Sequence, residues 1–224
     1  MRLVSYILCV VTAIAVFANT DQADAQAFPP KLSGFPSNFV WQNKPAEWTA
    51  TDGSIMITAG KKSDWFVWPG GGYTADASPR LIFKSANNFM FSARVKVESH
   101  TTYDAGCIAL YGDATRWAKL CLEMQSDGRL NVISVVTRGT SDDATSFPAR
   151  GTSIYLKVAK ADSVIFFYAS EDGKEWTIIR KFNLEPTDGL WAGFSAQSPD
   201  GEGASASFTG LHYLSQKVNL WDLR

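Results

Sequence analysis

Residues 103–139 read YDAGCIALYGDATRWAKLCLEMQSDGRLNVISVVTRG. Apolar and polar residues alternate through three short runs, separated by Gly112-Asp113-Ala114-Thr115 and Asp127-Gly128. Alternation at period two is the mark of a strand with one buried face. Asp-Gly between such runs is a strong hairpin signal, because a two-residue turn needs positive φ at both central positions. With Asp127-Gly128 central, Ser126 is expected opposite Arg129, Glu123 opposite Val132, Cys121 opposite Ser134, Lys119 opposite Val136 and Trp117 opposite Arg138. With Ala114 central in the first turn, Tyr111 faces Trp117, Ala109 faces Lys119 and Cys107 faces Cys121. A slip of one residue would turn every side chain to the other face. In this register Ala118, Leu120, Leu122, Met124, Ile108 and Leu110 point to a core. Tyr111, Trp117, Lys119, Glu123 and Arg138 form an aromatic and charged row on the opposite face.

The same grammar runs along the chain. Asp-Gly recurs at 52–53, 172–173, 188–189 and 200–201, between short apolar or alternating runs at 55–58, 89–97, 154–160, 164–170, 176–182, 191–196 and 204–208. Many short strands with regular turn signals and no sustained helical period predict an all-β sandwich or barrel. Residues 34–214 are expected to form one domain, with 26–33 a linker and 215–224 a C-terminal tail that packs back as a strand or lies loose. Pro69-Gly70-Gly71-Gly72-Tyr73 reads as a mobile loop.

The N-terminus carries Met1-Arg2, an apolar run from Leu3 to Ala18, and Ala23-Asp24-Ala25. That is the pattern of a secretory signal peptide, residues 1–25; the alternative is a single membrane anchor, for which the run is short. A secreted or periplasmic protein follows, with no membrane association after cleavage. A net charge of −1 offers no basic stripe for nucleic acid. Eight tryptophans against modest charge suit a glycan-binding surface. Oligomeric state is not readable. Of three cysteines, Cys107 and Cys121 remain after cleavage, and an oxidising compartment favours pairing them. The alternative is two half-buried thiols, since directly opposed strand positions make strained bridges.

Several segments carry a resemblance. In order they are Trp41-x-Asn43-x-Pro45-x-x-Trp48, Asp64-Trp65, Tyr103-Asp104-Ala105-Gly106, Trp117-x-Lys119-x-x-x-Glu123, Thr137-Arg138-Gly139, Ser170-Glu171-Asp172-Gly173-x-x-Trp176 and Ser198-Pro199 with Gly203. Their order and spacing, over residues 35–210, resemble a domain-of-unknown-function family of secreted and cytosolic proteins. It is related to the yeast regulation-of-enolase protein, in the concanavalin A-like lectin/glucanase superfamily. The resemblance implies a two-sheet antiparallel jelly-roll β-sandwich and no established activity, since fold does not give function. Cys107 and Cys121 depart from the family's expected small or apolar residues.

No catalytic set stands out. Glycoside hydrolysis needs two carboxylates about 5–10 Å apart; the Glu-x-Asp-x-x-Glu of laminarinase-like relatives is absent, and Asp104 points away from Glu123. His100 and His212 have no nucleophile elbow nearby, and no His/Cys metal cluster is visible. No cofactor is implied, although a structural Ca²⁺ is compatible with such folds. Sugar binding asks for aromatic faces to stack on pyranose rings and polar groups for the hydroxyls. Tyr111, Trp117, Lys119, Glu123 and Arg138 supply both on the expected concave sheet face, with Trp65, Trp68 and Tyr73 overhanging, and Ala105, Cys107, Ala109 and Ser134 leaving a trough. The bland reading is a cross-strand stacked pair beside a solvated edge; Trp41, Trp48 and Trp176 are assigned to packing. The leading expectation is a non-catalytic domain that binds a glycan. A hydrolase or lyase with an unfamiliar acid/base pair, and a partner-binding scaffold, are the alternatives.

Overall fold

A computed structural model describes residues 32–185 and 189–223. The expected signal peptide and most of the expected linker lie outside these residues. Leu32, at the linker's end, is buried in the core. Two antiparallel sheets stack face to face. The first takes, in spatial order, β1 (Val40–Gln42), β6 (Arg80–Lys84), β15 (Trp191–Gln197), β8 (Ala105–Asp113), β9 (Arg116–Met124), β10 (Leu130–Arg138) and β11 (Thr140–Pro148). The second takes β14 (Thr177–Phe182), β13 (Val164–Ser170), β12 (Ser153–Ala161), β7 (Phe89–Glu98), β16 (Gly203–Leu214), β3 (Ser54–Gly60) and β2 (Glu47–Thr51). This is the concanavalin A-like sandwich. A separate hairpin, β4 (Trp65–Val67) with β5 (Thr74–Asp76), lies over the outer face of the first sheet.

The core sits between the sheets and is rich in aromatic rings. Phe83 stands 5.1 Å from Tyr213, and Phe194 packs at 5.1 Å on Phe91 and 5.0 Å on Phe208. Burying each such side chain stabilises the fold by about 1.5–3 kcal/mol. The strands differ in how their faces are used. Along β7, buried and exposed residues alternate, so one side of that strand faces water. Along β9 and β10 nearly every residue is buried. Both faces of the first sheet are therefore covered in its middle, the inner by the second sheet and the outer by the β4–β5 hairpin.

The first turn and the β8–β9 ladder match the expected register: Tyr111 pairs Trp117, Ala109 pairs Lys119, and Cys107 pairs Cys121, whose sulfurs are joined as a disulfide. The β9–β10 ladder is one residue off expectation. Glu123 pairs Asn131, Cys121 pairs Ile133, Lys119 pairs Val135 and Trp117 pairs Thr137. The cause is the turn. Gly128 alone has positive φ, 77°, and Asp127 does not share it. Gly128 N–H bonds Gln125 O, and Gln125 N–H bonds Arg129 O. This is a type I turn closed by a left-handed glycine, a three-residue loop rather than a two-residue one. The extra residue moves Asn131, Ile133, Val135 and Thr137 onto the outer face and sends Ser134 to the core. Arg138, expected in the aromatic row, pairs Arg116 and reaches the other way, donating to Asn183 O.

Two further expectations are corrected. The Gly70–Gly72 segment is an ordered tip of the β4–β5 hairpin: Trp68 N–H bonds Tyr73 O, Gly71 N–H bonds Trp68 O, and the Trp68 indole lies against Gly70, where a Cβ would meet Nε1 at 2.6 Å. The C-terminal tail is neither strand nor loose. Its 3₁₀ turn, Leu220–Leu223, docks on the outer face of the second sheet, where Tyr168 Oη donates to Leu220 O and Lys157 Nζ to Leu223 O.

Gly106 sets how closely the sheets approach, since a Cβ there would stand 2.8 Å from Ala206 Cβ and 2.9 Å from Val95 Cγ1. Gly106→Ala is expected to overpack this contact and destabilise the protein by about 1–3 kcal/mol. Equilibrium unfolding in urea measures it, and an unchanged midpoint would contradict the close approach.

Candidate functional site

The outer face of the first sheet carries a small core of its own. Trp117 on β9 is buried, and Trp65 from β4 stacks on it with centroids 4.0 Å apart and planes 20° from parallel. The Arg80 guanidinium lies over the other side of Trp65 at 4.3 Å, fixed by Asp76 at 2.6 Å and Gln42 at 2.9 Å. Trp117 and Trp65, expected to offer open stacking faces, are thus covered. Tyr111, half-buried, packs at the margin of this cluster.

Beyond the tryptophans the cover is incomplete, and a cleft of about 320 Å³ remains. Its walls are Phe66, Trp68, Tyr73 and Tyr103, and its floor includes Lys119, Glu123 and Gln197. Trp68, Tyr73 and Tyr103 are 54%, 49% and 47% exposed. Tyr103 also holds a left-handed backbone, φ 70°. That conformation costs a non-glycine residue about 1–2 kcal/mol. It is held by Tyr103 N–H on Met124 O and by Gln197 Nε2 on Tyr103 O, at 2.8 and 3.0 Å. Backbone strain held in place by its surroundings concentrates at binding sites.

The floor is a connected polar network. Lys119 Nζ donates to Gln197 Oε1 at 2.6 Å and stands 3.7 Å from Asp64 Oδ1. Asp64 Oδ2 accepts from Tyr73 Oη at 3.0 Å. Gln197 Nε2 donates to Glu123 Oε2 at 3.3 Å, and Gln125 Nε2 to Glu123 Oε1 at 2.9 Å. Burial drives each ionisable member away from its charged form. It lowers the Lys119 ammonium against the opposing pull of Asp64 and Glu123. It pushes the Glu123 carboxyl up to about 7, with Lys119 and Gln125 opposing. Burial and the neighbouring Asp64 carboxylate push Tyr73 up to about 12. A buried charge without compensation is costly, so this network is tolerated only because its members hold one another.

The expected residues thus divide. Lys119, Glu123, Trp68 and Tyr73 meet at the cleft; Trp117, Trp65 and Tyr111 form the packed cluster beside it; Arg138 lies elsewhere. Asp104 is an internal cap, accepting from the His100 and Thr101 amides and from Ser198 Oγ. Sequence reasoning did not assign Asp64, Tyr103, Asp143, Gln197 or Asp200 to the site. The motifs Asp64-Trp65, Tyr103-Asp104 and Ser198-Pro199 were visible, and the fold brings three segments far apart in the chain to one place.

A model of a family described as protein of unknown function (DUF1349) matches residues 41–215. A Saccharomyces cerevisiae protein named "Regulation of enolase protein 1" is 26% identical over 174 residues, covering 77% of this chain and 87% of that protein. Among solved structures, a functionally unknown S. cerevisiae protein superposes with a TM-score of 0.75 at 25% identity, over 81% of this chain and 98% of that one. A GH43 protein from Bacillus licheniformis gives 0.61 at 16% identity, over 77% of this chain and 35% of that one. A Bacteroides ovatus GH43B protein gives 0.63 at 14%, over 81% and 37%. This chain spans little more than a third of those two, and the likeness is one of fold. The yeast relative overturns the expectation of a secreted or periplasmic protein, since it is named for the regulation of enolase, an enzyme of the cell interior.

The raised Glu123 carboxyl has a signed consequence. The folded protein binds a proton near pH 6 that the unfolded chain releases, so the stability from this group is complete below about 4.5 and drains away as pH rises through about 7. Urea unfolding is expected to show a loss of about 1–3 kcal/mol between acidic and mildly alkaline pH. Glu123→Gln should flatten that slope; an unchanged slope would show that another group carries it.

Proposed function

The chain belongs to the DUF1349 family of proteins of unknown function, and we propose its function from the cleft: it is a ligand-binding β-sandwich that takes a small saccharide unit between Trp68, Tyr73 and Tyr103, over the Lys119–Gln197–Glu123 floor. The observation that carries this reading is half-exposed aromatic rings standing over a buried, hydrogen-bonded polar floor. Aromatic faces suit the apolar faces of a sugar ring, and the floor suits its hydroxyls. The cleft volume lies at the small end of ligand sites, which favours one sugar unit over a long polysaccharide. The left-handed Tyr103 supports the same reading, because a residue strained in place at the lip has a use other than stability.

One observation favours a second reading. A buried carboxyl held near neutrality and lining a cleft has the property of a general acid. In that case Glu123→Gln would keep saccharide binding and abolish turnover.

Ligand-observed NMR against a panel of monosaccharides tests the binding reading. Trp68→Ala is expected to remove binding with the unfolding midpoint nearly unchanged. Tyr103→Gly should be at least as stable as the natural protein, because glycine adopts this φ freely, yet bind at least about fivefold more weakly through loss of the ring. Trp117→Ala, by contrast, should cost about 3–5 kcal/mol of stability. Retained binding in both Trp68→Ala and Tyr103→Gly would contradict the proposal.

A further inference from the structure

The cleft's charge is one-sided. Four carboxylates line it, those of Asp64, Glu123, Asp143 and Asp200, against one cation, Lys119. That cation is already engaged, by Asp64 and by Gln197 Oε1. Among the described residues, Glu123 has no ion pair within 4.0 Å; its oxygens receive only the amide hydrogens of Gln125 and Gln197, although it is just 7% exposed. Asp143 has no ion pair there either, since the neighbouring Arg180 binds Asp142. The β9–β10–β11 register explains why Asp143 belongs to the site: it pairs Val135, which pairs Lys119, so all three share the outer face.

The aromatic walls act with the carboxylates. The faces of Phe66, Trp68, Tyr73 and Tyr103 carry the negative side of their quadrupoles, which draws cations and repels anions. The carboxylates are also spread around the cleft: among the described residues no three His, Cys, Asp or Glu side chains converge as a metal site. A bare divalent ion would satisfy one or two of them, whereas an organic cation of sugar size spans the space. Four rings and three carboxylates without a cation of their own make the site complementary to a positive charge borne on an apolar body.

Resting on the cleft reading above, we propose that the ligand bears an ammonium group, seated between Glu123 and Asp143 with the rings of Trp68, Tyr73 and Tyr103 around its carbon skeleton. The chemical class is a small organic ammonium compound, supplied by an amino sugar or by a plain alkylamine. Uronates and phosphorylated sugars are rejected by the same charge. An ammonium beside Glu123 favours its ionised form, so binding near neutral pH releases a proton.

Ligand-observed NMR and titration calorimetry on the full chain test this with glucosamine, glucose, glucuronate and cadaverine. Glucosamine is expected to bind about tenfold more tightly than glucose, to weaken with added salt, and to release protons, seen as a heat that depends on the buffer's ionisation enthalpy; glucuronate is expected not to bind. The double variant Asp143→Asn/Asp200→Asn should lose most of the preference for glucosamine over glucose while keeping the unfolding midpoint. Cadaverine binding as tightly as glucosamine would assign the ammonium to a plain amine, upholding this inference and counting against the saccharide reading. Glucose and glucosamine binding equally would overturn the ammonium inference and leave the saccharide cleft standing. No binding by any of the four would overturn both.

Discussion

A lysine ammonium held out of water on the outer face of a sheet is the constraint around which this site is built. Lys119 is 2% exposed, and such a group is tolerable only with acceptors close at hand. One comes from Asp64 at the start of the β4–β5 hairpin and the other from Gln197 at the end of β15. Placing them there fixes much else. The hairpin must lie across the first sheet, which stacks Trp65 on Trp117 and closes that end of the face. Gln197 must reach between Lys119, Glu123 and the Tyr103 carbonyl, which ties the lip to the floor. The cleft is the space this arrangement leaves open.

The energetics point to use rather than to strength. Isolating charges from water costs several kcal/mol per ion, and an apolar substitute of similar volume is often as stable. The inner face of the same sheet shows the cheaper solution, with Ile108, Leu110, Leu120, Leu122 and Val132 packed without polar groups. The chain keeps Lys119, Glu123 and Asp64 on the outer face although the sandwich does not need them there. Half-exposed rings beside them, and the left-handed Tyr103, repeat that pattern.

What the sequence could tell depended on the range of the interaction. The sandwich was legible because alternation and turn residues are local, and because the motifs from Trp41 to Ser198 resemble a family. The β8–β9 ladder was legible for the same reason. The β9–β10 ladder was misread because Asp-Gly serves both a two-residue turn and a three-residue one, and only the φ of Asp127 separates them. That single residue moved Arg138 out of the site and Asp143 into it. Trp117 was placed on the right face but taken as open, since nothing local says that Trp65 will cover it. Asp64, Gln197 and Tyr103 were beyond reach as a site, because their meeting depends on the folded sheet and hairpin together.

The central claim is that the charged floor serves a ligand and not the fold. The most direct test replaces it whole: Asp64→Asn, Lys119→Met and Glu123→Gln in one protein, with unfolding free energy at pH 7 and glucosamine binding measured side by side. The account predicts stability equal to or above that of the natural chain, within about 1 kcal/mol, together with loss of glucosamine binding. A loss of several kcal/mol with binding intact would contradict it.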